Sequence, residues 1–260
     1  FVFAPMLREM PRTTGREESA VACPIVQASP DILRADLGAR GRKILSPVID
    51  FGEDDFDSAE LLSSCQRLGK SLGVVGLGWW RAYLAARDVQ ARFRAECLAI
   101  GARALAFCRD TGVIAVLVQG RPYTIYNTVL SSNVPALLRE QGALGIPIDC
   151  YAVDADAPTF EGIFWGHGQR NARAAHQVRR TPGLYSIWCS NYSCGPDSFN
   201  LHFFAYAMAG KPFAVVETDG HSGDAGTKTR VEAFLHCVRE DLAASHAGEA
   251  PDLLRVTKSE

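Results

Sequence analysis

Residues 184–198 have the sequence LYSIWCSNYSCGPDS, and this stretch decides the fold. Its first six residues are mostly apolar or aromatic, which predicts a strand buried on both faces at 184–189. The polar residues that follow predict a loop, and Pro196 with Asp197 and Ser198 is typical of the first turn of a helix. A buried strand that leads through a loop into a helix is the repeating unit of a parallel α/β sheet.

The same alternation of strand and helix extends on both sides of this stretch. The hydrophobic pattern predicts further strands at 113–119, 148–153 and 213–218, and helices at 133–141, within 164–179, at 197–209 and at 229–244. These elements predict a complete C-terminal lobe over 111–260, with a parallel sheet covered by helices on both faces.

The first part of the chain predicts a second, partial lobe over 1–110. Its expected elements are strands at 1–5 and 44–51, a helix around 31–37, a helix at 57–72 capped by Asp57 or Ser58, and a long helix over 79–109. The predicted fold class is therefore α/β, with two Rossmann-like or flavodoxin-like lobes. Because the sequence starts without Met in a strand-like run, we expect a fragment of a longer protein.

Composition excludes several classes of protein. The chain has 260 residues, 47% of them hydrophobic and 22% charged, with a formal net charge of -2. This balance lacks the basic excess that binds nucleic acid. No apolar run reaches the roughly 18–20 residues that span a membrane, and residues 1–5 lack the basic leader of a signal peptide. We therefore expect a cytoplasmic protein with neither a nucleic acid nor a membrane as partner.

Most of the eight cysteines are expected to be buried thiols, because they lie in apolar helical or strand-like stretches and lack the spacing of a disulfide framework. Cys23, Cys189 and Cys194 differ, since they lie in loops or at strand ends. Cys194 is predicted at or just before a helix N-terminus, where the helix dipole and free backbone amides favour a thiolate. A thiolate is the form that acts as a metal ligand or a nucleophile.

Three loops follow predicted strands and are expected at the same edge of the sheet, where ligands of parallel α/β folds bind. The loop after 113–119 contains Arg121 and Tyr123, the loop before Asp197 contains Cys194, and the loop after 213–218 contains His221. Arg121 is a candidate clamp for a phosphate or carboxylate. A surface arginine paired with a nearby acid explains it equally well.

The segment after His221 carries a second candidate anion site. Thr229 and Glu232 have the spacing of a capping box, which predicts a helix that begins at Thr229. Lys228 and Arg230 then crowd the start of this helix, where cations are disfavoured, and a bound anion would relieve the conflict.

The residues alone leave two chemistries open at Cys194. A nucleophilic cysteine needs a base, which His221 would supply. An iron–sulfur cluster needs further thiolates, for which Cys23 and Cys189 are the candidates. A structural zinc site is disfavoured because the sequence has no closely spaced Cys-x-x-Cys pair.

Several motifs resemble the acyl-CoA dehydratase activase-related proteins of the 2-hydroxyacyl-CoA dehydratase and double-cubane-cluster superfamily. They are CGPDS at 194–198, GKPF at 210–213, DGHSGDAG at 219–226, TRVEAF at 229–234, GRPY at 120–123, IYN at 125–127 and Cys23-Pro24. The likeness covers nearly the whole chain. Two departures are Cys189, which lies outside the usual pattern, and Gly220, which stands where an acidic residue is common.

The resemblance implies an oxygen-sensitive [4Fe–4S]-type cluster held by three cysteines from three motifs. Cys23 and Cys194 match two of these motifs, the third would lie upstream, and Cys189 is a further candidate ligand. The resemblance also implies an anaerobic electron-transfer role, with an ATP-dependent activase domain or subunit as partner and a homodimer as assembly.

We expect from these patterns an iron–sulfur redox component that passes low-potential electrons to a substrate or partner, with an acyl-CoA as the candidate substrate. Its substrate contacts would come from Arg121, Tyr123, Asp197, His221, Lys228 and Arg230. Two alternatives stay open: a non-catalytic docking or electron-relay module, and a thiol enzyme that uses Cys194 and His221.

Overall fold

The computed structural model describes residues 2–12, 17, 19–38, 43–53, 55–127, 130–219 and 223–247. The chain forms two units, Phe1–Ala95 with Thr159–Arg170 and Glu96–Pro158 with Asn171–Glu260. Each unit combines helices with strands that pair in parallel. The predicted α/β class with parallel sheets is therefore confirmed.

The strands of the first unit are short. β1 (Val2–Phe3) pairs in parallel with β3 (Ile44–Leu45), and β2 (Met6–Leu7) pairs in parallel with β4 (Val48–Ile49). The backbone amides of Ala4 and Met6 donate to the carbonyls of Leu45 and Pro47, so the pairing continues between the strands. Pro47 cannot donate in return, and this missing hydrogen bond divides the ladder into two parts.

Helix α1 (Pro24–Gly38) corrects the prediction of a helix around 31–37. The helix begins seven residues earlier and contains Pro30. A proline at this position cannot donate to the carbonyl of Val26 four residues before it. The hydroxyl of Ser29 donates to that carbonyl instead, at 2.8 Å, so the helix continues through the proline.

The next two helices follow their predicted positions. A 3₁₀ turn at Asp55–Asp57 precedes α2 (Ala59–Ser71), and the hydroxyl of Ser58 accepts from the backbone N–H of Leu61 at 3.0 Å. Ser58 is therefore the N-cap, as its residue type predicts. Helix α3 (Gly78–Thr111) is continuous, and Gly112 follows it with a φ of 72°.

The second unit contains a four-stranded parallel sheet. Its strands are β5 (Ile114–Gly120), β6 (Ala143–Pro147), β7 (Leu184–Asn191) and β8 (Phe213–Thr218), in the spatial order β6-β5-β7-β8. This order is that of flavodoxin-like folds, in which the second strand lies outside the first. The central strands β5 and β7 are buried along almost their whole length, as strands covered on both faces must be.

The helices of this unit lie between its strands along the chain, except α8, which follows the last strand. They are α4 (Pro122–Tyr126), α5 (Val134–Glu140), α6 (Gly166–Arg180), α7 (Gly195–Ala207) and α8 (Asp224–Ala247). The core residues Leu117, Ile187 and Phe204 are fully buried between strands and helices. In the described part of the chain no helix combines the length and apolar character needed to cross a bilayer.

Two predictions for this unit are wrong. The strand expected at 148–153 lies earlier, at β6, and Ile148–Cys150 forms a 3₁₀ turn. The strand sequence Ala-Leu-Gly-Ile-Pro has few β-branched residues, so its pairing with β5, rather than local preference, places it. The capping box expected at Thr229 is absent because α8 begins at Asp224, and the Thr229 hydroxyl donates to the carbonyl of Ala225 inside the helix.

Candidate functional site

The strand order of the second unit reverses between β5 and β7. From β5 the chain goes outward to β6 and then returns to β7 on the other side. The loops that leave the carboxyl ends of β5 and β7 therefore diverge, and ligands of open parallel sheets bind in the crevice between such loops. Arg121 follows β5 directly, and Cys194 follows β7 by three residues.

A buried ion pair joins these two loops. The Nη2 of Arg121 lies 2.8 Å from the Oδ2 of Asp197, in the first turn of α7. The hydroxyl of Ser190, at the end of β7, donates to the same carboxylate oxygen at 2.6 Å. All three residues are buried. A buried carboxylate with a charged and a neutral donor is a stable arrangement only while both partners remain.

Arg121 is held on two further sides. Its backbone N–H donates to the hydroxyl of Thr124 at 2.9 Å, which fixes the start of α4. Its guanidinium lies over the ring of Tyr123, 4.7 Å from the centroid. The buried Nε of Arg121 has no hydrogen-bond partner among the residues that the structure describes. Arg121 is therefore paired with Asp197 at Nη2, while its Nε is buried without a partner among the described residues.

An amide network fixes the end of β5 next to Arg121. The side chain of Asn171, on α6, accepts from the N–H of Gly120 at 3.1 Å and donates to its carbonyl at 3.0 Å. The side chain of Gln119 donates to the carbonyl of Asn171 and accepts from the hydroxyl of Ser186. Every member is buried and bonded, so the network makes this strand end rigid.

Gly120 is required at this position by its backbone and its neighbours. Its φ is 143°, a conformation that L-residues rarely adopt. A Cβ built on it would lie 2.4 Å from the carbonyl oxygen of Cys189 on the adjacent strand. Glycine therefore allows β5 and β7 to approach closely just before their loops diverge.

Cys194 occupies the N-cap of α7, as the sequence predicts. Pro196 lies in the first turn, and the carbonyl of Cys194 accepts from both the N–H and the hydroxyl of Ser198. Ser193, immediately before it, adopts a φ of 60°, so the chain turns sharply into the helix. The residue is partly exposed. It combines solvent access with the helix N-terminus, where an anionic sulfur is favoured.

Cys189 is a different kind of thiol. It lies inside β7 and is 1% exposed, and this burial raises its pKa to about 12. A neutral thiol enclosed in the sheet is a poor metal ligand and a poor nucleophile. Its side chain behaves as a small hydrophobic residue of the core.

Cys23, in the first unit, repeats the local setting of Cys194. It precedes α1, whose first residue is Pro24, and its carbonyl accepts from the backbone N–H of Gln27 at 3.0 Å. Cys23 is also partly exposed. Each unit thus has one accessible cysteine directly before a helix that carries proline in its first turn.

The remaining residues that the sequence predicted as substrate contacts are exposed or lie outside the described part of the chain. Lys228 and Arg230 are exposed in the second turn of α8, beyond the first turn that the sequence suggested. Tyr123 is exposed at the start of α4. His221 lies outside the described residues. The structure thus brings Arg121, Tyr123 and Asp197 together near the start of α7, where Cys194 is the N-cap.

Two contributors to this site were missed by the sequence analysis. Ser190 follows a predicted strand directly, so its place at the sheet edge was available as a signal. Asn171 lies within a stretch predicted only as helical, and its contact with Gly120 joins residues 51 positions apart. No local pattern marks such a contact.

The implied cluster fits this donor set in part. Cys194 and Cys23 have the accessible, helix-terminal setting that suits a thiolate ligand. Within the described residues, no group of three or more His, Cys, Asp or Glu side chains is arranged to hold a metal ion. The two cysteines therefore fit as individual ligands, and further donors would have to complete the set.

Comparison with protein families identifies the family of the chain. Residues 1–151 match the family model described as the CoA enzyme activase uncharacterised domain. The matched region contains Cys23 and Arg121, whereas Cys194 and Asp197 lie beyond it. No curated protein and no solved structure matches the chain. Since the match covers more than half of the 260 residues, the chain belongs to the family of the CoA enzyme activase uncharacterised domain.

Proposed function

We propose that the protein is an iron–sulfur redox component of a CoA-enzyme activation system and that Cys194 is a ligand of its cluster. The observation that carries this proposal is the position of Cys194. It is a partly exposed N-cap cysteine on a 13-residue helix, beside the crevice where the strand order reverses. Family membership supports the link to CoA-enzyme activation.

Cys23 is the second proposed ligand because it has the same local setting as Cys194. The remaining ligands would come from residues outside the described part of the chain or from a partner. Cys189 is left out of the set because burial keeps its thiol protonated. When bound, such a cluster supplies one-electron transfer at low potential.

The buried residues around Cys194 have a positioning role in this proposal. The ion pair of Arg121 and Asp197 joins the loop after β5 to the first turn of α7, which begins directly after Cys194. Ser190 adds a contact from β7. These bonds would hold the sulfur of Cys194 at a fixed place relative to the crevice, as a ligand site requires.

The proposed electron donor is an ATP-dependent activase domain or subunit, and the proposed acceptor is an acyl-CoA thioester. Asp197 engages Nη2 of Arg121, and the buried Nε, which has no partner among the described residues, is a candidate donor to a substrate oxygen. The exposed Tyr123, Lys228 and Arg230 are candidate contacts for the phosphates of the CoA moiety. His221 remains a candidate substrate contact.

Anaerobic spectroscopy tests this proposal. The full-length gene product, purified without oxygen, should contain iron and sulfide and show an electron paramagnetic resonance signal after reduction by dithionite. Addition of an acyl-CoA should oxidise the reduced protein. A protein that contains iron but reduces only a partner would instead be a docking or relay module.

A thiol enzyme is the second candidate, and it is favoured by the same helix-terminal position of Cys194. Iodoacetamide labelling across pH separates the two. Rapid labelling at neutral pH in a protein that binds no iron under any condition would support the thiol enzyme and contradict the redox proposal.

A further inference from the structure

A large cleft lies at the edge of the sheet opposite to Cys194. Its volume is about 880 Å³, within the range of small-molecule sites. The turns before β5, β7 and β8 line it, together with the last turns of α8. Neither the ion pair of Arg121 nor Cys194 belongs to its lining, so the proposed redox site leaves this cleft without a role.

The charged side chains in the lining of the cleft are mainly cationic. Four basic side chains and one carboxylate contribute to it, namely Arg109, Arg179, Arg180, Lys211 and Asp241. The carboxylate is already engaged, because the hydroxyl of Tyr185 donates to its Oδ2 at 2.7 Å. Desolvation and this contact raise the pKa of Tyr185, so its phenol stays neutral.

The ends of helices give a simpler explanation for part of this charge. α3, α6, α7 and α8 all end at this edge of the sheet. Each C-terminus carries about half a negative charge, so the four together offset about two cations. The basic side chains exceed Asp241 by three charges, and the contact of Arg109 with Asp110 removes one more, so the total charge of the cleft is close to balanced. The case for an anion therefore depends on which individual cations are unpaired.

The basic residues differ in their availability. Lys211 donates to the carbonyls of Val178 and Thr181 at 2.8 and 2.5 Å and thereby completes the end of α6. The Nε of Arg109 lies 3.8 Å from the Oδ1 of its neighbour Asp110. Arg179 and Arg180 are exposed and have no ion-pair partner within the described ranges. These two guanidinium groups are the ones available to a ligand.

Three glycine turns leave the backbone around the cleft accessible. Gly112, Gly183 and Gly210 lie in the turns between a helix and the next strand, with φ between 72° and 83°. A Cβ built on any of them would meet no atom within 4 Å. A ligand can thus approach the main chain at these three turns. The apolar side chains of Leu105, Pro182 and Leu242 form another part of the lining.

We propose that this cleft binds a phosphate ester of about nucleotide size. Its phosphate lies against Arg179 and Arg180, which are fork-shaped donors suited to phosphate oxygens. Its organic part lies against Leu105, Pro182 and Leu242. This site is separate from the proposed iron–sulfur site, and either one can exist without the other.

Isothermal titration calorimetry of the apo protein tests the proposal. The probes are inorganic phosphate, AMP, flavin mononucleotide and adenosine. At least one of the two phosphate esters should bind tenfold or more tightly than inorganic phosphate, and adenosine should bind more weakly than AMP. Binding of inorganic phosphate alone, or of no probe, would overturn the proposal.

Three variants locate the binding. Arg179→Gln combined with Arg180→Gln should weaken binding tenfold or more, while the exposed pair Arg81→Gln with Arg92→Gln, which is outside the cleft, should leave it unchanged. Ser245 is exposed and lines the cleft, so Ser245→Lys should strengthen binding and Ser245→Glu should weaken it. Equal affinities of the two Ser245 variants would overturn the assignment. Iron content, measured separately, reports on the redox site.

Discussion

The Nη2 of Arg121 and the Oδ2 of Asp197 lie 2.8 Å apart, although the residues are separated by 76 positions in the sequence. Their side chains are only 8% and 4% exposed. Both residues were singled out from the sequence as separate candidates for contacting a substrate. The structure shows that they contact each other and join the two loops that diverge at the carboxyl edge of the sheet.

Removal of one partner of this ion pair should lower the free energy of unfolding strongly. Asp197→Ala would leave the guanidinium of Arg121 buried without its counter-charge, so we expect a loss of about 3–5 kcal/mol in the free energy of unfolding. Urea denaturation at neutral pH measures this change. The double variant Arg121→Met with Asp197→Leu should recover most of the stability, because it removes both buried charges.

An exposed ion pair provides the control. Asp31 and Arg34 form a contact on the surface of α1, and Asp31→Ala should change the stability little. Two results would show that the pair does not hold the loops together. One is a loss of stability in Asp197→Ala as small as that in the control, and the other is a loss in the double variant equal to the sum of the losses in its single variants.

Gly120 should tolerate a side chain less well than other glycines of positive φ. Gly120→Ala would place a methyl group 2.4 Å from the carbonyl oxygen of Cys189, whereas Gly210→Ala would meet nothing within 4 Å. Both changes strain the backbone, and at Gly120 the larger φ and the clash with Cys189 add to this strain. We expect Gly120→Ala to be less stable by about 2 kcal/mol, as thermal and urea unfolding would measure. Equal losses would contradict the close approach of β5 and β7.

The two cysteines near the end of β7 should react at very different rates. Cys194 is partly exposed, whereas Cys189 is buried and its pKa is raised to about 12. In the native apo protein, iodoacetamide should label Cys194 at least tenfold faster than Cys189, and the difference should shrink in guanidinium. Chymotryptic cleavage after Tyr192 separates the two residues for mass spectrometry. Equal native rates would contradict the burial of Cys189.

Lys211 should make the stability depend on pH in a defined window. Burial lowers its pKa from 10.5 to about 8, and the nearby Asp241 opposes this shift. Below about pH 8 the amine is charged in both states. Between about pH 8 and 10.5 the unfolded state binds more protons than the folded state, so this residue increases the stability as pH rises.

The comparison of wild type with Lys211→Met isolates this contribution. The stability of the wild type relative to the variant should increase from pH 8 to pH 10.5, as urea unfolding at each pH would measure. Other groups that titrate in this window cancel in the difference. A relative stability that decreases over the window would mean that the pKa of Lys211 is raised in the folded protein.

Local patterns predicted the elements with strong periodicity or clear caps. The positions of α2 and α3, the strand β8 and the N-cap position of Cys194 are confirmed. These features depend on residues close together in the sequence, such as Ser58 before α2 and Pro196 in α7. The position of the loops after β5 and β7 at the same edge of the sheet also follows from the parallel arrangement of the strands.

The features that the sequence did not predict depend on contacts with distant residues, or on a neighbouring side chain that replaces a missing hydrogen bond. β6 is placed by its pairing with β5, and α1 continues through Pro30 because Ser29 satisfies the carbonyl that the proline leaves open. The pairing of Arg121 with Asp197 and the contact of Asn171 with Gly120 each join residues more than 50 positions apart. A pattern in the sequence predicts which residue types are suited to a site, but these contacts require the folded chain.

The most direct test of the account is the iron and sulfide content of the full-length gene product purified without oxygen, supported by Mössbauer spectra. Three proteins are compared: wild type, Cys194→Ala, and Cys237→Ala as the control, since Cys237 is an exposed cysteine on α8. We predict that wild type and Cys237→Ala contain a cluster and that Cys194→Ala loses it. Iron retained in Cys194→Ala, or absent from the wild type, would contradict the proposed role of Cys194.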